Sequence, residues 1–282
     1  MTKPAQQSGN ALTGIQSNGV SSVKAVLFDV DDTLVDTKGA FRHALSTVTT
    51  EYLSADAGLD DVAMFFRADR GGFYRAHTRG EMDHREQRMR RANDLHAEFG
   101  GATMNDDAYD AWDVVFEQGF RDGWRAFDDA VACLDALEAA GIPYGALSNA
   151  RFDYQVEKLV AVGLERVPML VGVDTLGFGK PDQRVFALAA QRLGSAGSET
   201  AYVGDELDID AAAATSAGLL GYWLDRAGVA EANAGPHPDS TTTHEGVEVP
   251  RIATLHEFSA RIGAHPNGAS AAVMDRAQNT LK

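Results

Sequence analysis

The chain has one cysteine, Cys133, in 282 residues. No internal disulfide can form, and Cys133 reads as a small buried hydrophobe. Basic residues are scarce as well. Against 41 Asp and Glu stand 25 Lys and Arg, for a formal net charge of -16. Binding a nucleic acid backbone needs a basic footprint, so no nucleic acid partner is expected. A small phosphorylated ligand stays open, because local charge decides that case. Long apolar runs are missing too, so no membrane partner is expected. The first residues lack the basic-then-apolar order of a signal peptide. A cytoplasmic protein is the simplest expectation.

Hydrophobic residues make up 44% of the chain, enough to build a sizeable core. Residues 1–22 are rich in Gln, Ser, Gly and Asn and read as a disordered lead. Residues 264–282 read as a flexible tail with a short helix near Ala271–Gln278. The stretch Ala227–Val247 contains Gly235-Pro236, Pro238 and Ser240-Thr241-Thr242-Thr243, and reads as a long surface loop. Between the ends, five apolar runs have strand character: Ala25–Asp29, Tyr144–Leu147, Met169–Val173, Ala201–Val203 and Gly221–Leu224. Helical patterns over Asp129–Ala140, Tyr154–Val162, Asp182–Leu193 and Asp208–Ala217 separate the later ones. Such alternation implies an α/β fold, a parallel sheet with helices on both faces. Its ligand site belongs beyond the carboxyl ends of the strands.

One stretch breaks the alternation. Residues 37–124 are almost wholly helical in pattern and follow the first strand, so they should form a subdomain over the site. Within it Tyr109, Trp112, Phe116, Phe120 and Trp124 step by three and four, the spacing of a buried helix face. The core is expected over 23–36 and 125–263.

Four segments at strand ends carry chemistry. The first is Val26-Leu27-Phe28-Asp29-Val30-Asp31-Asp32-Thr33-Leu34, an apolar run that stops in acids. Unpaired carboxylates are costly to bury, so packing does not explain them. In extended chain, residues two apart share a side. That puts Asp29 and Asp31 together, with Asp32 turned away. The others are Ser148-Asn149, Gly179-Lys180-Pro181-Asp182, and Gly204-Asp205-Glu206 followed by Asp208 and Asp210. The fold argument places all four on one rim.

In this order the four segments resemble the four motifs of the haloacid dehalogenase-like (HAD) hydrolase superfamily, over about Val23–Arg226. The resemblance implies a Rossmann-like parallel core under an inserted helical cap of the family's first type. It implies that Asp29 is a nucleophile forming an aspartyl-phosphate, with Asp31 as the general acid-base. Ser148 would grip a phosphoryl oxygen and Lys180 would stabilise the transition-state charge. Asp29, Asp205 and the backbone carbonyl of Asp31 would hold Mg²⁺. Thr33 either caps the turn or serves the substrate directly, and Asn149 falls beside Ser148 on the substrate side. Glu206, Asp208 and Asp210 are candidate supporting acids, with helix capping as an equal role for Asp208. Glu206 and Ile209 stand where many members carry other residues.

The insert should choose the substrate. Arg79, in a Gly-turn segment resembling a cap loop that faces the site, is the candidate there. The implied activity is Mg²⁺-dependent hydrolysis of a small phosphorylated metabolite, such as a nucleoside 5′-monophosphate or phosphoglycolate. Alternatives are a phosphomutase or a 2-haloacid dehalogenase; Asp31 and Asp205 argue against the last. A non-catalytic binding module is the alternative from another class.

Overall fold

The computed structural model describes residues 23–226 and 241–265. The expected lead, residues 227–240 of the expected loop, and 266–282 of the tail lie outside them.

The sheet is built outward from β1 (Ala25–Phe28), every residue of which is buried. Val26 and Phe28 face one apolar layer and Leu27 faces the other, so the strand has no solvated side. It pairs in parallel with β2 (Tyr144–Leu147) and β4 (Thr200–Gly204). Outside these lie β3 (Met169–Val171) and β5 (Leu220–Leu224), also parallel. β7 (Val247–Ile252) continues the parallel sheet, and β6 (Thr241–His244) closes the edge antiparallel. The spatial order is β3-β2-β1-β4-β5-β7-β6. This is the Rossmann-like α/β architecture expected.

Helices α6 (Asp128–Ala139), α7 (Phe152–Ala161), α8 (Val173–Leu176), α9 (Gln183–Leu193), α10 (Ala213–Ser216) and α11 (Leu255–Arg261) accompany the sheet. Five more lie between β1 and α6: α1 (Thr37–Tyr52), α2 (Leu59–Ala68), α3 (Phe73–Thr78), α4 (His84–Glu98) and α5 (Asp106–Asp122). They have an apolar core of their own. Within it Tyr109, Trp112, Phe116, Phe120 and Trp124 are buried, as their spacing suggests. Trp112 stacks on Phe116 at 4.9 Å. Alanines on α1 meet Gly119 on α5 and Gly123 just after it. A Cβ on Gly119 would lie 2.9 Å from the Ala44 Cα, so only small residues permit this approach. No helix among the described residues is long and apolar enough to cross a membrane.

Three local expectations differ from the structure. The expected long loop, read through Val247, instead forms the β6–β7 hairpin from Thr241 onward. Its two-residue turn, Glu245-Gly246, has both φ values positive, and three β-branched threonines supply the strand. The strand expected to Val173 ends at Val171, and Val173 opens α8. The helix expected over Asp208–Ala217 begins as a π-turn, Leu207–Ala212, before α10. That widened turn carries Asp210 inward to Lys180.

Candidate active site

The registers decide what meets at the sheet's carboxyl edge. Phe28 is level with Val203 and with Ala146, and Leu147 with Val171. The next residues of each strand therefore emerge side by side. Asp29, Ser148 and Asp205 line one cavity of about 780 Å³, between this edge and the five-helix insert. Lys180 reaches the same floor from the loop before α9.

Lys180 is 3% exposed and organises the centre. Its ammonium donates to Asp29 Oδ1 at 2.7 Å, to Asp210 Oδ1 at 2.6 Å and to the Tyr202 hydroxyl at 3.0 Å. The other Asp210 oxygen accepts from the Glu206 amide at 3.0 Å. Burial lowers the proton affinity of Lys180, but Asp210 and Asp29 outweigh it and hold the ammonium charged. Burial raises Asp29 well above the ordinary carboxylate range, with Asp210, Asp31 and Asp205 adding to the effect and Lys180 opposing it. Burial also raises Asp205, against the attraction of Lys38 at 2.8 Å. One buried lysine does not balance these acids. Oxygens of Asp29, Asp205 and Asp210 lie within 4.8 Å of one another, a cluster that could hold a metal ion. An all-oxygen donor set with excess negative charge suits a hard divalent cation.

Asp31 lies on the same cavity but turns to other partners. The strand ends at Phe28, so the two-residue alternation stops before Asp31. Its carboxylate accepts from Lys158 Nζ, Gln155 Nε2 and Thr37 Oγ1, each at 2.5 Å. Burial works to raise Asp31, but the charge and hydrogen bond of Lys158 lead the groups that bring it below the usual carboxylate value. Asp32, with φ of 59°, does not leave the site either. It lines the cavity and shares Lys38 with Asp205. Burial pushes its carboxyl up to about 7.

The remaining expected residues divide. Ser148 is 2% exposed, and its hydroxyl accepts from Gln155 Nε2 at 2.8 Å and from the Ala150 amide at 3.2 Å. Asn149 points at Lys180 rather than into open space. Its amide accepts from the Lys180 N–H at 2.6 Å and donates to the Lys180 carbonyl at 3.0 Å. Thr33 is fully buried, its hydroxyl has no partner among the described residues, and it does not line the cavity. Arg79 is exposed, pairs with Glu81 at 2.7 Å and lies on a neighbouring smaller cavity. Asp182 caps α9, accepting from the Arg184 amide at 3.0 Å.

The insert reaches the core through another arginine. Arg75 on α3 pairs with Glu206 at 3.2 Å and with Asp208 at 3.1 Å. Nearby, the Gly179 amide donates to the Thr78 carbonyl at 3.0 Å. Gly80, at φ of 76°, allows this loop to approach, since a Cβ would meet the Gly177 carbonyl at 2.9 Å.

Comparison with known proteins gives the family. A family model described as a haloacid dehalogenase-like hydrolase matches residues 23–218. The chain belongs to that family. As a HAD-like hydrolase it is an enzyme by kind. It is 28% identical over 203 residues to a glyceraldehyde 3-phosphate phosphatase of Methanopyrus kandleri, covering 70% of this chain and 82% of that one. It is 30% identical over 203 residues to a ribulose-1,5-bisphosphate 5-phosphatase of Halopiger xanaduensis, covering 69% and 82%. In fold, this HAD-like hydrolase superposes on the HAD-hydrolase YfnB of Bacillus subtilis, a structure bound to magnesium. The TM-score is 0.66 at 22% identity, covering 85% of this chain and 98% of that one.

Several residues at the HAD-like site carry no sequence signal of their own. Lys158 and Gln155 sit within an ordinary amphipathic helix, and Tyr202 within a buried strand.

Proposed function

We propose that the protein is a magnesium-dependent phosphatase of small phosphorylated sugars, acting through an aspartyl-phosphate on Asp29. One observation carries the reading. Two carboxylates on one cavity floor, Asp29 and Asp31, have separate lysine partners, Lys180 at 2.7 Å and Lys158 at 2.5 Å. A nucleophile and an acid-base need different environments, and here each has its own.

Asp29 would attack phosphorus while Lys180 balances the added charge. Asp31, ionised in the free protein, is ready to take a proton from the water that releases phosphate. For the first step it must hold a proton. A phosphoryl dianion arriving beside it works against Lys158 and raises its proton affinity. Ser148, fixed by Gln155, would present its hydroxyl to a phosphoryl oxygen. Asp29, Asp205 and the Asp31 carbonyl would hold Mg²⁺, with Asp210 next to them holding Lys180. Bound there, the ion would offset repulsion between the nucleophile and the phosphate.

The named activities of the two relatives support sugar phosphates as the substrate class. The cavity wall supports it too. Arg88 and Arg91 are paired with Asp113, Glu117 and Asp69. Arg67 and Arg151 line the cavity with no ion pair among the described residues. They offer donors to polar groups of the substrate remote from the scissile phosphate. A small substrate diffusing in the cytoplasm, with no nucleic acid or membrane involved, fits this cavity.

Phosphate release across sugar phosphates, nucleoside monophosphates and phosphoglycolate tests the reading. The expected outcome is turnover best on sugar phosphates and abolished by chelation. Turnover that survives full chelation contradicts it.

A further inference from the structure

Lys158 is 2% exposed and has one carboxylate partner, Asp31. Its ammonium lies 5.4 Å from the Phe120 ring centre, 5.7 Å from Trp124 and 5.5 Å from Tyr154. Three aromatic faces thus surround a buried cation, a favourable environment for it only in this position. The cage has two sources. Phe120 belongs to α5 of the insert and Trp124 to the segment just after it, whereas Tyr154 shares α7 with Lys158. The Tyr154 hydroxyl donates to Glu117 of α5 at 2.6 Å, joining the two halves. One turn before Lys158 on α7, Gln155 donates to the second Asp31 oxygen and to Ser148. Both oxygens of Asp31 are therefore held from a single helix face.

We propose that Lys158 is a positioning residue for the phosphatase reaction. Seated in a cage that the insert completes, it fixes the Asp31 carboxylate toward the leaving group and makes that alignment depend on the seating of α5. The role rests on the phosphatase reading, because it acts through the acid-base that reading assigns. The helix needs a long apolar residue at position 158 for packing alone, and methionine would satisfy that need. The lysine is explained by what its ammonium touches.

The test compares Lys158→Met with wild type on an alkyl phosphate and on p-nitrophenyl phosphate, with magnesium. Methionine fills the cage without charge. The parameter kcat/KM reports the steps through phosphoryl transfer, in which an alkoxide leaving group needs a proton and p-nitrophenolate needs almost none. The expected result is a loss of about 10- to 100-fold on the alkyl ester, against about threefold or less on the aryl ester. In an Asp31→Asn background, Lys158→Met adds almost nothing. Phe120→Leu keeps a hydrophobe, removes no polar group of the site, and gives the same selective loss at smaller size. It serves as the alternative variant where Lys158→Met fails to fold. Thermal unfolding of the metal-free proteins supplies a readout apart from activity. The midpoint shifts of Lys158→Met and Asp31→Asn should be non-additive by about 2 °C or more. Equal losses on both esters, or losses that multiply with Asp31→Asn, overturn the role. A wild type that turns over neither ester overturns the phosphatase reading itself, and the role with it. Additive midpoints overturn the pairing whatever the activity.

Discussion

Asn149 carries no charge and reaches no carboxylate of the floor, yet it decides where Lys180 stands. Its side chain makes both backbone hydrogen bonds of that residue, at 2.6 and 3.0 Å, in a buried setting. Asn149→Ala leaves a buried N–H and C=O unpaired and frees the loop. The expected result is a drop in kcat of about 10- to 100-fold with KM little changed, read from steady-state kinetics. An unchanged kcat contradicts this. Asn149 also shows what the sequence makes legible. Asp29, Ser148 and Asp205 stand out because each follows an apolar strand with chemistry that packing does not require, and Lys180 because a helix start explains its neighbours but not a lysine. Asn149 shares their place but serves the backbone, and no spacing separates those roles. Lys158, Gln155 and Tyr202 are still less visible. Each sits inside a regular element, and only the packing of α7 beside β3 and the pairing of β4 with β1 bring them to the site. Strand alternation turns Asp32 away from the site, but the strand ends at Phe28 and the turn at φ of 59° brings it back.

At the scale of elements, the parallel pairing of β1 to β5 follows from alternating runs and helices, whereas their spatial order is seen only in the structure. The β6–β7 hairpin does not follow from them, because Glu245-Gly246 is a weak turn signal and threonines also suit loops. A buried junction ties the sheet to its flanking helices. Asp129 on α6 accepts from Arg226 at 2.8 and 2.9 Å and from the Leu255 amide at the start of α11 at 2.9 Å. Burial opposes its charge, but the hydrogen bonds from Arg226 and Leu255 prevail and lower its proton affinity. Its folded proton affinity therefore lies below the unfolded one. The resulting stability is present above the unfolded carboxylate range and is lost as pH falls through the folded value. Asp129→Asn should cost about 2 kcal/mol at pH 7 by urea unfolding, and the gap to wild type should narrow at pH 3. An equal gap at both pH values contradicts the assignment.

At the scale of the whole molecule, an acidic chain concentrates cations around one cavity. The floor is rich in carboxylates, whereas the wall carries Arg67 and Arg151 without ion pairs among the described residues. In the proposed phosphatase reaction, floor and wall would divide the work between the reacting phosphoryl group and the rest of the substrate. Arg67→Ala with Arg151→Ala should raise KM for a sugar phosphate about tenfold while kcat changes by about threefold or less. An unchanged KM across sugar phosphates contradicts that division. The sequence pointed to the insert as the chooser of substrate, and to Arg79 within it. Arg79 faces the neighbouring cavity, since the turn at Gly80 carries it past the rim.

In the proposed reaction Asp29 takes up the phosphoryl group. Acid quench within a single turnover, followed by mass spectrometry of the peptides, reads this directly. One phosphoryl group is expected on the peptide containing Asp29, absent in Asp29→Asn together with phosphate release. Full turnover with that peptide never labelled would contradict it.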